Sequence, residues 1–175
     1  MKKVGILILC TFLLTGCLNS NKTKEREHNE KYENYMELLI DNSKQVTMNL
    51  PFRWKFNMYE NGDEYGYDVA IEKPTIAMYN IQMVAVDISE ISENKIAPNI
   101  GLFEDQTYNM IPNQINAEKG FYEGVGVQGF TNKSEFILNC LVVYKDKNQV
   151  DNYAYFIINA NIKDFQSSEE VNKDE

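Results

Sequence analysis

The sequence predicts an all-β fold, an antiparallel β-sandwich of six to seven strands, and three observations lead to this prediction. Hydrophobic residues alternate with polar ones in several segments between residues 45 and 163, as they do in strands with one buried face. Turn-forming residues separate these segments at the spacing of a sandwich. No helical segments interleave with them, which disfavours a parallel sheet with crossover helices.

The chain begins with the layout of a secretory signal. Lys2 and Lys3 precede an apolar run over residues 4–14, which at about 1.5 Å per residue covers only about half of a roughly 30 Å hydrocarbon core. A short apolar run after a positive segment is typical of an export signal rather than of a permanent membrane span, which is the alternative.

The four residues that follow, Leu14-Thr15-Gly16-Cys17, resemble the lipobox of bacterial lipoproteins. The resemblance implies that residues 1–16 are removed as a signal peptide and that Cys17 receives the lipid. Two acyl chains anchor a protein stably to a bilayer. We therefore expect the mature chain to be held on the outer face of the cell membrane through the lipid on Cys17.

Residues 17–44 are predicted to form a lipidated tether that contains one short amphipathic helix. Residues 18–31 hold one hydrophobic residue among many charged ones, so they bury too little apolar surface to offset the entropy of ordering. The helix is predicted over about residues 30–41, because its hydrophobic residues stand at i, i+3, i+4 and i+7. These residues are Tyr32, Tyr35, Met36 and Leu39. We expect this face to dock on the protein's own domain.

The β-sandwich domain is predicted over residues 45–163. A first strand with alternating Phe52, Trp54, Phe56 and Met58 leads through Asn61-Gly62, a hairpin signal, into a second strand. A third strand over residues 75–86 is apolar on both faces, and residues 87–120 form a long connection with one short strand. The last strands are predicted over residues 120–130, 135–145 and 152–162.

An immunoglobulin-like topology is the first choice for this sandwich, without its usual disulfide, and a small closed barrel is the second. The apolar alternation lies entirely between Gln45 and Ile162. We therefore expect this segment to fold alone and without metal. The charged segment 164–175 is expected to be a disordered, acidic tail.

The charge of the chain disfavours two classes of partner, and its cysteine content predicts that it has no disulfide. The net charge of −9 becomes −11 once Lys2 and Lys3 leave with the signal, which disfavours nucleic acid and flat adsorption on anionic lipid. It permits a cationic partner, but the interpretation we prefer is that it serves solubility and stand-off from an anionic envelope. Cys140 is the one cysteine left after Cys10 is removed and Cys17 is lipidated, so no intrachain disulfide forms. Its apolar strand predicts a buried, unreactive thiol.

A second resemblance covers part of the domain. The segments Ala77-Met78-Tyr79-Asn80, Pro98-Asn99-Ile100-Gly101-Leu102-Phe103-Glu104-Asp105 and Tyr108-Asn109-Met110-Ile111-Pro112 look like a group of small lipoproteins from Gram-positive bacteria that have no assigned activity. This resemblance supports the location and implies nothing about chemistry.

The segment Gly124–Gly129 matches the dinucleotide-binding pattern G-x-G-x-x-G. That pattern binds phosphate only where a strand turns into a helix, and here the extended pattern continues through Val127 and Phe130. We expect Gly124 and Gly126 to clear one face of a strand so that a large side chain, Trp54 or a tyrosine, can lie over it.

Other catalytic and metal-binding patterns are weak, and we expect no catalytic residue, cofactor or metal site. His28 is the only histidine and lies in the predicted tether, which removes imidazole bases and histidine-containing zinc sites. Asp87, Glu104 and Asp105 are candidates for a glycosidase pair, but their spacing does not imply convergence. Asn61, Asp63 and Glu64 could offer oxygen ligands to Ca²⁺, although a plain hairpin turn is favoured.

The eleven tyrosines form either an exposed recognition patch or, as we prefer, the core and rim of a sandwich. These observations predict a non-enzymatic, membrane-anchored extracytoplasmic module that binds a protein or glycan. One alternative is an acidic inhibitor or decoy for a cationic envelope-targeting protein. The other is a carboxylate-dependent hydrolase of envelope glycan.

Overall fold

The computed structural model describes residues 4–92 and 95–165, with side chains from Thr23 onward. It is mostly β-structure in two antiparallel sheets, which confirms the prediction of a β-sandwich. The predicted signal peptide covers residues 1–16. Residues 1–3 lie outside the description, and the side chains of residues 4–16 are not described. Most of the predicted tail, residues 166–175, also lies outside it.

One helix and seven strands make up the described fold. The helix α1 spans Val4–Asp41, and short 3₁₀ turns occur at Ile88–Glu90 and Ala117–Lys119. The strands are β1 (Arg53–Asn61), β2 (Glu64–Glu72), β3 (Tyr79–Val86), β4 (Asn99–Ile100), β5 (Gly124–Thr131), β6 (Glu135–Lys145) and β7 (Asp151–Asn161).

The strands form a three-stranded sheet, in the order β1-β2-β5, and a four-stranded sheet, in the order β4-β3-β6-β7. A hydrophobic core lies between the two sheets, and its members include Met58, Val69, Ile71, Ile81, Met83, Leu138, Val142, Phe156 and Ile158. Two separate sheets around one core are the arrangement of a sandwich rather than of the closed barrel that was the second choice.

The hairpin between β1 and β2 forms where the sequence predicts it. Asn61 pairs with Glu64, and the turn consists of Gly62 and Asp63. Gly62 has a φ of +66°, a conformation that glycine adopts without steric cost. The third predicted strand begins later than expected, at Tyr79, because Thr75 donates its backbone N–H to Pro51 O (2.7 Å) outside the sheet.

The helix α1 covers the outer face of the four-stranded sheet and forms a third layer. Tyr35 and Leu39 pack in a second apolar cluster with residues of β3, β6, β7 and the long connection. These residues are Val84, Val86, Ala97, Leu102, Leu141, Val143 and Tyr155. The predicted docking of the helix on its own domain is confirmed. This layer also explains why β3 and β6 are apolar on both faces.

Cys140 lies on the opposite face of β6, in the core between the sheets, and is 1% exposed. Burial raises the pKa of its thiol well above the usual range, so the nucleophilic thiolate is disfavoured. The prediction of a buried cysteine in a strand covered on both sides is confirmed.

The prediction of a flexible tether is wrong, because residues 18–31 belong to the continuous helix α1. The segment is rich in Glu, Lys and Arg, which have high helix propensity, and Arg26 pairs with Glu30 one turn away (3.4 Å). Contacts with the domain also hold it: Lys24 Nζ lies 3.1 Å from Asp105 Oδ1, and His28 packs against Phe103. A helix already formed at Tyr32–Asp41 extends through such residues at low cost.

The prediction that a large side chain lies over Gly124 and Gly126 is wrong, because the backbone of the neighbouring strand occupies that space. A Cβ at either position meets the backbone of β2, with Val69 O only 2.6 Å from the Cβ position of Gly126. Aromatic rings instead lie over two other glycines. Tyr67 covers Gly129, and Tyr59 covers Gly66, each from the residue directly paired with it in the neighbouring strand. Trp54 stacks on Phe156 at a centroid distance of 5.7 Å.

We expect Gly126→Val and Gly129→Val each to destabilise the fold by about 1–3 kcal/mol, the usual range for overpacking. At Gly126 the obstacle is the backbone of a strand paired on both sides. At Gly129 it is the buried ring of Tyr67, whose centroid lies 5.3 Å from that of Phe136. Urea denaturation measures the change. Glu64→Val, at an exposed strand position, is the control and should stay within about 0.5 kcal/mol. Glycine variants as stable as this control would contradict the steric argument.

Candidate functional site

A groove of about 780 Å³ runs between α1 and the connection that follows β3. Ligand sites in proteins typically have volumes of about 300–1,000 Å³. One wall consists of residues on one side of α1, and the opposite wall of residues 86–87, 90–92 and 95–98. Tyr67, Gly129 and Phe136 of the sandwich also line the groove, as do Phe130 and Thr131 at the end of β5.

The groove collects apolar side chains that lie open to solvent. Ile40, Ile91, Ile96 and Phe130 all line it, and their exposed fractions are 45%, 43%, 60% and 44%. Tyr32 and Met36 of α1 are half-buried beside them. Single exposed hydrophobic residues are common, but a contiguous apolar surface with a polar rim marks an interaction site.

Acidic side chains lie on both walls of the groove. Glu33 and Glu37 lie one helical turn apart on α1, and Asp87 and Glu90 lie on the opposite wall. Lys95 is the one basic residue among the described lining residues. The site therefore combines an apolar floor with excess negative charge on the α1 side, whereas Lys95 lies on the same wall as Asp87 and Glu90.

Asp87 and Glu90 are held in place by Lys133 of the β5–β6 turn. Lys133 Nζ lies 2.7 Å from Asp87 Oδ2 and 3.1 Å from Glu90 Oε1. Asp87 also caps the first 3₁₀ turn by accepting hydrogen bonds from the backbone N–H (2.9 Å) and hydroxyl (2.6 Å) of Ser89. Two carboxylates share one ammonium group, and with Lys95 on the same wall the described positive and negative charges balance.

Hydrogen bonding keeps Asp87 ionised. Burial disfavours its charged form, but the bonds from Lys133 and Ser89 outweigh that effect and lower the pKa of the carboxyl below its usual value. The pKa of Lys133 is raised, mainly by its hydrogen bond to Asp87. Both groups therefore remain charged across the neutral range.

Buried polar contacts fix the position of the α1 wall. Tyr32 Oη accepts a hydrogen bond from the backbone N–H of Ala97 (2.8 Å), which ties the helix to the opposite wall. Tyr35 donates its hydroxyl to Gln82 Oε1 (2.6 Å) in β3. The groove is thus preformed by the same contacts that dock α1 on the sheet.

The structure does not bring the carboxylates proposed for a hydrolase into one pair. Asp87 lies on the groove wall, whereas Glu104 Oε2 accepts the backbone N–H of Gly101 (2.8 Å) and Asp105 pairs with Lys24. Each side chain has its own structural partner.

The remaining candidate residues are placed in structural roles. Gly124, Gly126 and Gly129 lie within β5, which continues as a strand, so the dinucleotide pattern lacks its helix. Asn61, Asp63 and Glu64 lie in and beside the tight β1–β2 turn. No group of three or more His, Cys, Asp or Glu side chains arranged to hold a metal occurs among the described residues.

All eleven tyrosines are described, and the preferred interpretation of them is confirmed. Tyr35, Tyr67, Tyr144 and Tyr155 are buried, Tyr153 is 48% exposed, and the other six are half-buried. Burial raises the pKa of Tyr67, in the wall of the groove, to about 12. Its hydroxyl therefore stays neutral at physiological pH.

Comparisons with known proteins give no family assignment. No protein-family model matches the chain, and no curated protein matches it significantly. Among the described residues, no helix is long and apolar enough to cross a membrane. Cys17, the predicted lipidation site, lies within α1, and its side chain is outside the description.

The groove could not be predicted from the sequence, because its walls come from separate parts of the chain. Two features of the sequence are nevertheless consistent with a site here. The connection over residues 87–120 is long, and long loops within a domain are often functional. Ile40 lies beside the predicted apolar stripe of the helix, one residue after Leu39.

Proposed function

We propose that this chain is a membrane-anchored extracytoplasmic lipoprotein, a non-enzymatic module that binds a macromolecular partner in the groove between α1 and the sandwich. The single observation that carries this proposal is the groove itself, which is lined by four exposed apolar side chains and by the acidic residues of α1. The lipobox residues Leu14–Cys17 support the anchoring.

A photo-crosslinking amino acid in place of Ile96 tests the binding function in intact cells that carry the full-length chain. Ile96 is 60% exposed in the groove, and Ile115, 66% exposed, is a matched position outside its lining. We expect a discrete covalent adduct from position 96 and none from position 115. Equal labelling from both positions would contradict a binding role for the groove.

Cys17→Ser is expected to abolish membrane anchoring while the domain stays folded. Without the thiol no lipid can be attached, and lipid is the anchor that the lipobox implies. Metabolic acyl labelling followed by membrane fractionation measures this. If the unlabelled Cys17→Ser chain stayed firmly in the membrane fraction, residues 4–14 would be a permanent anchor instead.

The alternative function with structural support is an acidic inhibitor or decoy for a cationic envelope-targeting protein. The carboxylates of Glu33, Glu37, Asp87 and Glu90 along the groove favour it. The hydrolase alternative is disfavoured by the chemistry of the wall. A glycosidase needs one carboxyl with a raised pKa to act as the acid, whereas hydrogen bonds lower the pKa of Asp87.

We also infer that the sandwich has an immunoglobulin-like topology. Its first, second and fifth strands share one sheet, and the third, sixth and seventh share the other, as in constant-type immunoglobulin domains. The fourth strand differs, because it pairs with β3 instead of joining the first sheet. Trp54 lies on β1 and is 41% exposed, and Cys140 is a free thiol, so neither reproduces the buried tryptophan on the third strand or the disulfide of such domains.

A further inference from the structure

We propose that the groove receives a cationic amphipathic helix of a partner protein, with its apolar face on the floor and basic residues along the flank that faces α1. This inference rests on the proposed binding function and specifies the partner. It follows from how charge and apolar surface are distributed across the groove.

Carboxylates bound the apolar part of the groove on two sides, and the α1 side carries the net negative charge. Ile40 and Met36 rise from α1 beside Glu33 and Glu37, and Ile91 lies across the groove beside Glu90. A ligand that buries its apolar surface here brings its flanks next to carboxylates on both sides. Opposite charges at those flanks are favourable, and like charges at such short range are costly.

A helix with one apolar stripe and basic residues on the side that faces Glu33 and Glu37 matches this pattern. Amphipathic helices bind in this way, with apolar anchors at i, i+3, i+4 and i+7 placed in a hydrophobic groove. A strongly acidic partner is excluded by repulsion from the rims. A neutral apolar ligand would leave Glu33 and Glu37 without charge partners.

The net charge of the chain also favours a cationic partner. At −9 for the whole sequence, the protein attracts a cationic partner before contact, and this attraction weakens with salt. The described groove as a whole stays negative, because Glu33, Glu37, Asp87 and Glu90 carry four negative charges against the two positive charges of Lys95 and Lys133.

The test measures binding of two synthetic amphipathic helices to the full-length chain in neutral phosphatidylcholine nanodiscs. One helix carries leucine on one face and lysine on the other, and the second carries glutamate in place of lysine. Empty nanodiscs provide the blank for peptide that binds to lipid. We expect the lysine peptide to bind, with affinity that falls as salt rises, and the glutamate peptide not to bind.

Two pairs of variants separate charge from apolar contact. Glu33→Gln with Glu37→Gln should weaken binding of the lysine peptide about tenfold. Glu118→Gln with Glu123→Gln, which makes the same change in net charge at exposed positions outside the lining, should change it little. Ile96→Ser should also weaken binding about tenfold, whereas Ile115→Ser should not.

The outcomes distinguish this inference from the function on which it rests. If both peptides bind equally and only Ile96→Ser weakens them, the groove binds apolar ligands and the cationic specificity is wrong. If the two charge variants weaken binding equally, the attraction is general and the groove is not the site. If neither peptide binds while position 96 still crosslinks in cells, the groove has a partner of another chemistry.

Discussion

A chain that begins at Gln45 is expected to lose most of its folding stability compared with one that begins at Thr23. Without α1, the outer face of the four-stranded sheet exposes Val84, Leu141 and Val143, which are at most 3% exposed in the fold. Burying one such side chain contributes about 1.5–3 kcal/mol. The loss from several of them approaches the total stability of a small domain, about 5–15 kcal/mol.

Urea denaturation followed by circular dichroism compares the two chains, and binding of a hydrophobic dye reports the exposed sheet. We expect the shorter chain to bind the dye and to unfold early or without cooperativity. This replaces the expectation, drawn from the alternation pattern alone, that residues 45–162 fold unaided. Equal midpoints and no dye binding would show that α1 is an appendage rather than a layer of the fold.

Leu39→Ala is expected to destabilise the protein by about 2–5 kcal/mol, the range for truncating a buried leucine. Leu39 is 1% exposed and packs in the cluster between α1 and the four-stranded sheet. Its chain neighbour provides a close control, because Ile40 is 45% exposed and lines the groove.

Ile40→Ala removes a similar apolar volume from the same helix and should change the free energy of unfolding by only about 0.5 kcal/mol or less. Denaturant titration of both variants gives the comparison. Equal losses for the two substitutions would mean that the helix sits on the sheet in a different rotation. The groove would then be lined differently.

The elements that the sequence predicted correctly are those set by local pattern. Alternation over residues 52–58 and Asn61-Gly62 predicted the first hairpin. Hydrophobic residues on both faces of residues 136–144 predicted a strand covered on both sides, with Cys140 in the core. These features depend on the two-residue period of a strand and on turn chemistry, both of which act between near neighbours.

The features that the sequence did not predict depend on contacts between distant residues. The polar segment 18–31 has too little apolar surface to order itself, and it is helical next to a docked helix and the Lys24–Asp105 pair. The aromatic cover over glycine depends on which residues pair across strands, such as Tyr67 with Gly129. The groove requires α1, the 87–98 connection and the end of β5 to meet, which no local pattern specifies.

The continuity of α1 has a consequence for how the protein would stand on a bilayer. A flexible linker over residues 18–31 would let the domain move by roughly 20 Å in any direction. In the helix, the distance from Cys17 to Asn29, where the groove begins, is set at about 18 Å by the rise of about 1.5 Å per residue. With its lipid on Cys17, the protein would hold the start of its binding surface within about 18 Å of the bilayer. It would meet partners that move along the membrane, and those deeper in the surrounding envelope would lie beyond its reach.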